Sequence, residues 1–146
     1  MAQPALSLRA RALRSLARRE HTRSELRRKL APHEETEGQL DALQAQGFLS
    51  DERAAASLVH RRAARLGTQR LRQELQAKGL DASTVDAALE GLGGTELERA
   101  RVLWERKFGA PAPDAAGRAR QVRFLLARGF ASDTVRRVVR GVEDDF

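Results

Sequence analysis

Apolar residues along this chain recur at three- and four-residue intervals, and each periodic run closes at a glycine, a proline or a capping residue. The first helix is expected from about Ala5 to Arg19, with Leu6, Leu13, Leu16 and Ala17 on one stripe. Thr22 opens T-R-S-E, a capping box in which Glu25 reaches back to the cap. The short helix behind it carries Leu26 and Leu30 until Pro32 stops it. A third helix, from about Glu35 to Gln46, turns Leu40 and Leu43 inward and ends at Gly47. Ser50 caps a fourth to about Leu66, with Ala55, Leu58, Val59, Arg62, Ala63 and Leu66 at helical spacing and Gly67 as its end. Thr68 caps the fifth, which carries Leu71 and Leu75 to Gly79, and the sixth runs from about Ala82 to Glu90 with Val85, Ala88 and Leu89 inside.

Gly91, Leu92, Gly93 and Gly94 have the character of a linker. Thr95 then opens a second capping box, T-E-L-E, ahead of an apolar face formed by Leu97, Ala100, Leu103, Trp104 and Phe108. The stretch from Gly109 to Asp114 makes another break. The eighth helix, about Ala115 to Arg128, ends at Gly129, and Ser132 caps a ninth carrying Val135, Val138, Val139 and Val142.

Nine helices in this order fall into three groups of three. The pattern L-x-x-K-G-L-x-x-x-x-V-x-x-A-L from Leu75 to Leu89 matches L-x-x-R-G-F-x-x-x-x-V-x-x-V-V from Leu125 to Val139 without a gap. The first group aligns through Leu30, Leu40 and Leu43 but has no glycine in the equivalent turn. A left-handed glycine therefore ends the second helix of the later groups, with Leu80 or Phe130 folding back on the preceding turn; Phe48 after Gly47 uses the same device at another junction. The expected fold is all-α: three tandem three-helix repeats, at residues 1–49, 50–92 and 95–146, in an elongated, curved modular array.

Composition supports the helical reading. Ala, Leu, Arg, Glu and Gln dominate and aromatics make up 4% of the 146 residues, so strands are poorly supplied. Charged residues reach 32%, no stretch approaches the ~20 apolar residues of a membrane span, and no secretory signal is apparent. With no cysteine, disulfides, thiolate catalysis and cysteine-ligated zinc are excluded, and a cytoplasmic location is expected.

The net charge of +7 is unevenly placed. Residues 1–31 carry +7, residues 32–117 carry −3, residues 118–140 carry +6, and Glu143, Asp144 and Asp145 return −3. Two basic ends thus flank a slightly acidic middle, which suits contact with a polyanion or an acidic protein surface. Of the 27 bases 24 are arginine, whose planar fork fits carboxylate and phosphate.

Catalytic constellations are missing. His21 falls in a turn, His33 is isolated, and His60 is on an exposed helical phase; none has a partner at ligand spacing. No phosphate-loop motif occurs, Asp51 and Glu52 suit the first turn of a helix, and Trp104 belongs to a core. What remains is surface: Arg18, Arg19, Arg23, Arg27, Arg28 and Lys29; then Arg61, Arg62, Arg65, Arg70, Arg72 and Lys78; then Arg118, Arg120, Arg123 and Arg128, which do not all share one face. With aromatics so sparse, contact through phosphate or carboxylate is expected rather than base stacking.

Three stretches carry a resemblance. Ser50 to Asp81, SDERAAASLVHRRAARLGTQRLRQELQAKGLD, resembles the central block of the RecX family of recombination regulators: the D-E-x-x-A segment, the basic run, the turn before R-L-R-x-E-L, and the K-G-hydrophobic stop. Arg118 to Val135, RARQVRFLLARGFASDTV, resembles its C-terminal block around F-L-x-x-R-G-F, and Ser24 to Leu30 is an altered form of its N-terminal S-x-x-E-L-x-x-K-L segment. The similarity spans residues 10 to 142; the departures are a proline-interrupted first repeat and an Ala-rich Asp51–Ser57 segment without the family's aromatic.

The missing constellations leave a non-enzymatic, basic helical binder, expected to be a monomer without a cofactor; the resemblance implies that it binds the RecA recombinase filament and inhibits its ATPase, strand-exchange and co-protease activities in DNA repair and recombination. It also implies a place in the filament groove, bridging protomers with non-specific approach to DNA. The residues expected to touch recombinase or DNA are Arg61, Arg62, Arg65, Arg70, Arg72, Lys78, Arg118, Arg120, Arg123 and Arg128. A tandem helix-turn-helix DNA-binding protein is the alternative, although the third helix of each group has few side chains suited to base edges.

Overall fold

The structure is a computed structural model and describes residues 6–30 and 32–140. Among the described residues there are nine helices and no strand: α1 Leu8–Arg18, α2 Arg23–Leu30, α3 Thr36–Ala45, α4 Asp51–Arg62, α5 Thr68–Ala77, α6 Ala82–Glu90, α7 Glu96–Lys107, α8 Ala115–Ala127 and α9 Ser132–Arg140. Ala5 and Val142 of the expected first and last helices, and the acidic residues Glu143 to Asp145, lie outside the described residues. The helices form two units. One takes in the residues up to Leu58 together with Leu75–Val85; the other takes in Val59–Glu74 and the described residues from Asp86 onward.

In the first unit, α1, α2 and α3 enclose Ala12, Leu26, Leu30, Leu40, Leu43 and Leu49, with Leu8, Leu13 and Leu16 packed against them. Each buried leucine contributes ~1.5–3 kcal/mol by leaving water. The inner stripe of α1 is displaced from expectation: Ala12 is its buried residue, while Leu6 and Ala17 are exposed. Leu8, Ala12 and Leu16 stand one turn apart, and the small side chain in the middle lets the neighbouring helices approach closely.

The capping box at α2 forms as expected. The Thr22 hydroxyl accepts from the Glu25 amide at 3.1 Å, and the Glu25 carboxylate accepts from the Thr22 amide at 3.1 Å. Helix α3 ends in a Schellman turn at Gly47 (φ 82°), with the Phe48 amide donating to the Leu43 carbonyl at 2.9 Å. Phe48 does not fold back, however. It is 49% exposed with the Arg9 guanidinium 6.0 Å from its ring centroid, and Leu49 is the residue that fills the core.

In the second unit, α7, α8 and α9 bury Ala100, Trp104, Leu125, Phe130, Val135, Val138 and Val139. The α8 stop matches expectation: Gly129 has φ 89°, the Phe130 amide donates to the Leu125 carbonyl at 3.3 Å, and Phe130 is buried. The second capping box does not form. Thr95 stays in a helical conformation with its hydroxyl donating to the Leu92 carbonyl at 2.7 Å, so that oxygen does not cap α7. The Gly91–Gly94 stretch is accordingly a run of turns continuing from α6 rather than a loose linker, since the Leu92 and Gly93 amides donate to Leu89 and Glu90.

Two further boundaries differ from expectation. Helix α4 ends at Arg62, four residues early, and the chain turns through 63–66. Gly67 is not a left-handed stop; its amide leaves the helix and donates to the Arg128 carbonyl. Three caps went unforeseen: Ser7 accepts from the Ala10 amide at 3.1 Å at α1, Asp81 accepts from the Thr84 amide at 2.8 Å at α6, and Asp114 accepts from the Gly117 amide at 2.7 Å at α8.

Candidate functional site

Half of the dense N-terminal cluster is paired with carboxylates within its own unit. Arg19 pairs with Glu25 at 2.9 Å, Arg23 with Glu37 at 2.8 Å and Asp41 at 2.7 Å, and Arg27 with Glu37. The Arg27 and Arg23 guanidinium groups hold the exposed Glu37 carboxyl down to about 2. Helix α3, whose Glu37 and Asp41 lie one turn apart, thus supplies the carboxylates that the basic run on α2 needs.

The same unit brings the chain around Lys78 onto the start of α2. Lys78 reaches Glu25 at 3.1 Å, the Thr22 hydroxyl donates to the Lys78 carbonyl at 2.6 Å, and a Cβ on Gly79 would collide with Ser24. Burial opposes ionisation of Glu25, but bonds from Arg19, the Thr22 amide and Lys78 outweigh it and lower its pKa to about 2. Beside them His21 is fully buried rather than placed in an open turn. Its Nδ1 lies 3.0 Å from the Arg19 carbonyl, and its Nε2 has no partner among the described residues.

The second unit sorts the remaining sequence-predicted residues into two kinds. Arg62 pairs with Glu74 at 2.8 Å and Arg72 with Asp86 at 2.7 Å, so both tie neighbouring elements together. Arg61, Arg65 and Arg70 around the α4–α5 turn, and Arg118, Arg120 and Arg123 on α8, are exposed and have no carboxylate partner among the described residues. Arg128 stacks over the Phe124 ring, 5.1 Å from its centroid. A Cβ on Gly129 would overlap the Cβ of Arg70, which places the Arg70 backbone directly against the α8 stop.

One arginine escaped sequence reasoning. Arg99 on α7 is half-buried and donates to the Ala63 carbonyl at 2.8 Å, the Leu66 carbonyl at 2.5 Å and the Thr68 hydroxyl at 3.0 Å. Its neighbour Glu96 accepts from the Thr68 amide at 3.2 Å, so the start of α5 is capped from α7 rather than by Thr68 itself. Burial lowers the Arg99 pKa. No local spacing signals this role, because the carbonyls it satisfies lie more than 30 residues away.

Three family models match in chain order: the first three-helix domain of RecX over residues 9–43, the second over 50–89 and the third over 95–139. The chain belongs to the RecX family. The regulatory protein RecX of Leptothrix cholodnii is 58% identical over 142 residues, covering 94% of this chain and 90% of the relative. That of Herminiimonas arsenicoxydans is 45% identical and covered over 99% of both chains. The crystal structure of RecX from Lactobacillus salivarius superposes with a TM-score of 0.75 at 20% identity, over 93% of this chain and 94% of that one. That likeness concerns the all-α repeat array; the family membership rests on the sequence matches. The RecX domains contain both kinds of arginine described above, the paired and the open.

Among the described residues no group of three or more His, Cys, Asp or Glu side chains could hold a metal ion, and no helix is long and apolar enough to cross a membrane.

Proposed function

We propose that this chain binds the RecA recombinase filament as a monomer in the cytoplasm. It inhibits ATP hydrolysis, strand exchange and co-protease activity there, as a non-enzymatic regulator of DNA repair and recombination that needs no cofactor. Family membership supports the regulatory role. The observation that carries the binding surface is the set of open cations in the second unit: Arg61, Arg65 and Arg70 beside Arg118, Arg120 and Arg123. Unpaired guanidinium groups offer full charge and two N–H donors each to filament carboxylates. Arg62 and Arg72 join this surface by exchanging a carboxylate of this chain for one of the partner, and Arg128 through its free edge; Lys78, in the first unit, makes a contact of its own by giving up Glu25.

DNA-dependent ATP hydrolysis by the cognate recombinase, with and without this protein, is the test. Inhibition that weakens as salt rises is expected. Untouched hydrolysis, combined with ~10³-fold preference for one duplex sequence over random DNA, would replace this reading with that of a helix-turn-helix DNA-binding protein.

A further inference from the structure

Glu96 and Arg99 stand one turn apart on α7, and the pair meets both helix ends at the α4–α5 turn. Where α4 stops, the Gly67 amide that would serve the Ala63 carbonyl in a longer helix goes to Arg128 instead. The Arg99 guanidinium takes that carbonyl at 2.8 Å and the Leu66 carbonyl at 2.5 Å, both through Nη1. Its Nη2 donates to the Thr68 hydroxyl at 3.0 Å, and its Nε to the Thr95 hydroxyl at 3.1 Å. At the start of α5, Glu96 accepts from the Thr68 amide at 3.2 Å; it also accepts from the Thr134 hydroxyl of α9 at 3.4 Å.

The signs of the pair suit the two helix ends. A cation meets the carbonyl end of α4 and an anion meets the amide end of α5, the arrangement that both helix dipoles favour. Arg99 reaches its four acceptors from three nitrogens, which a lysine cannot copy, because an ammonium carries all its donors on one atom. The same guanidinium lies over the Phe130 ring, 6.0 Å from its centroid, so one side chain spans the turn after α4 and the residue that follows the α8 stop.

The turn so held carries charge outward. Arg65 is exposed between Ala63 and Leu66, whose carbonyls Arg99 holds, and the exposed Arg61 and Arg70 flank it. Cations on a fixed backbone lose less freedom on meeting a partner than cations on a fraying turn. We propose that Arg99, aided by Glu96, is a positioning residue for recombinase inhibition: it sets the spacing of Arg61, Arg65 and Arg70 without contacting the recombinase itself. This rests on the filament reading given above.

Two measurements on the full chain test it. The first needs no recombinase: trypsin cuts a folded chain after Arg65 when the turn opens locally. Arg99→Lys is expected to speed that cut about tenfold while cleavage after Arg118 on α8 changes far less. The second is inhibition of DNA-dependent ATP hydrolysis, where Arg99→Lys should raise the concentration for half-inhibition about tenfold. In an Arg61→Gln/Arg65→Gln background the same change should cost less than about threefold, since two of the cations it places are gone. The full factor in both backgrounds, or equal acceleration at both trypsin sites, reports general loosening and overturns the proposal. Unchanged cleavage and unchanged inhibition overturn it too. Where Arg99→Lys melts below the assay temperature, Glu96→Gln takes its place with the same expected directions. Wild-type protein that leaves hydrolysis untouched refutes the regulator reading; wild-type protein that inhibits no better than Arg99→Lys refutes the positioning role alone.

Discussion

The Gly67 amide donates to the Arg128 carbonyl at 2.8 Å, and so joins the turn after α4 to the stop of α8. The approach is possible only because both contacting segments contain glycine. A Cβ on Gly67 would meet the Gly129 carbonyl and the Phe130 amide, and a Cβ on Gly129 would meet Arg70. In the first unit the same device recurs, with the Lys78 carbonyl bonded to Thr22 and Gly79 set against Ser24. The K-G and R-G steps are therefore joints onto an earlier α-helical N-terminus as well as helix stops.

Gly129→Ala combines a left-handed strain, φ being 89°, with overlap on backbone, and is expected to destabilise by at least ~1–2 kcal/mol. Gly67→Ala has no such strain but the same crowding, and should cost about 1–3 kcal/mol. Gly38→Ala in α3 meets nothing within 4 Å and should stabilise by ~0.5–1 kcal/mol. Urea unfolding of the three variants checks the order.

Trp104 is buried, and its indole N–H donates to Gln121 at 3.0 Å, while the Gln121 amide donates to the Ala110 carbonyl at 3.0 Å. Trp104→Ala is expected to cost ~3–5 kcal/mol through the cavity it leaves. Gln121→Leu keeps the volume but strands a buried donor, and should cost ~1–3 kcal/mol. A blue-shifted tryptophan emission in the wild type, shifting red on unfolding, reports the same burial.

Burial pushes the His21 pKa below its usual 6.5; the Arg19 carbonyl and Glu25 oppose this, while the charges of Arg19 and Lys29 add to it. A depressed folded-state value means that the neutral ring is favoured by folding. Stability is therefore full above about pH 6.5 and falls as the pH drops below it. Denaturation measured between pH 7 and 5 should show this decline, and His21→Leu should flatten it. Below pH 4.5 a second loss follows, because Glu25, held down to about 2, must take up a proton on unfolding.

Charge reversal should separate surface from scaffold. Arg61→Glu/Arg65→Glu removes two exposed, unpaired cations and is expected to leave thermal stability within ~0.5 kcal/mol while relieving recombinase inhibition. Arg62→Glu/Arg72→Glu instead sets carboxylates against Glu74 and Asp86, and should lower stability before binding is considered. Thermal melts read alongside filament ATPase assays distinguish the two variants.

Helical periodicity, the glycine stops at Gly47, Gly79 and Gly129, the Thr22 box and the leucine and valine cores were legible in the chain, because each depends on groups within one or two turns of one another. The family was legible for the same reason, since its motifs are local strings. The T-E-L-E box failed because a hydroxyl has two competing claims, and Leu92 and Arg99 took the Thr95 oxygen. Which arginines remain open was a tertiary decision. Arg23 and Arg27 look as free in the sequence as Arg120 and Arg123, yet α3 delivers Glu37 to the first pair, whereas the second pair has no carboxylate partner among the described residues. Pairing depends on which helix faces arrive beside one another, as does the embrace of the 63–68 turn by Arg99. Local spacing determines the helices and their stops; packing determines where their charge is left uncompensated.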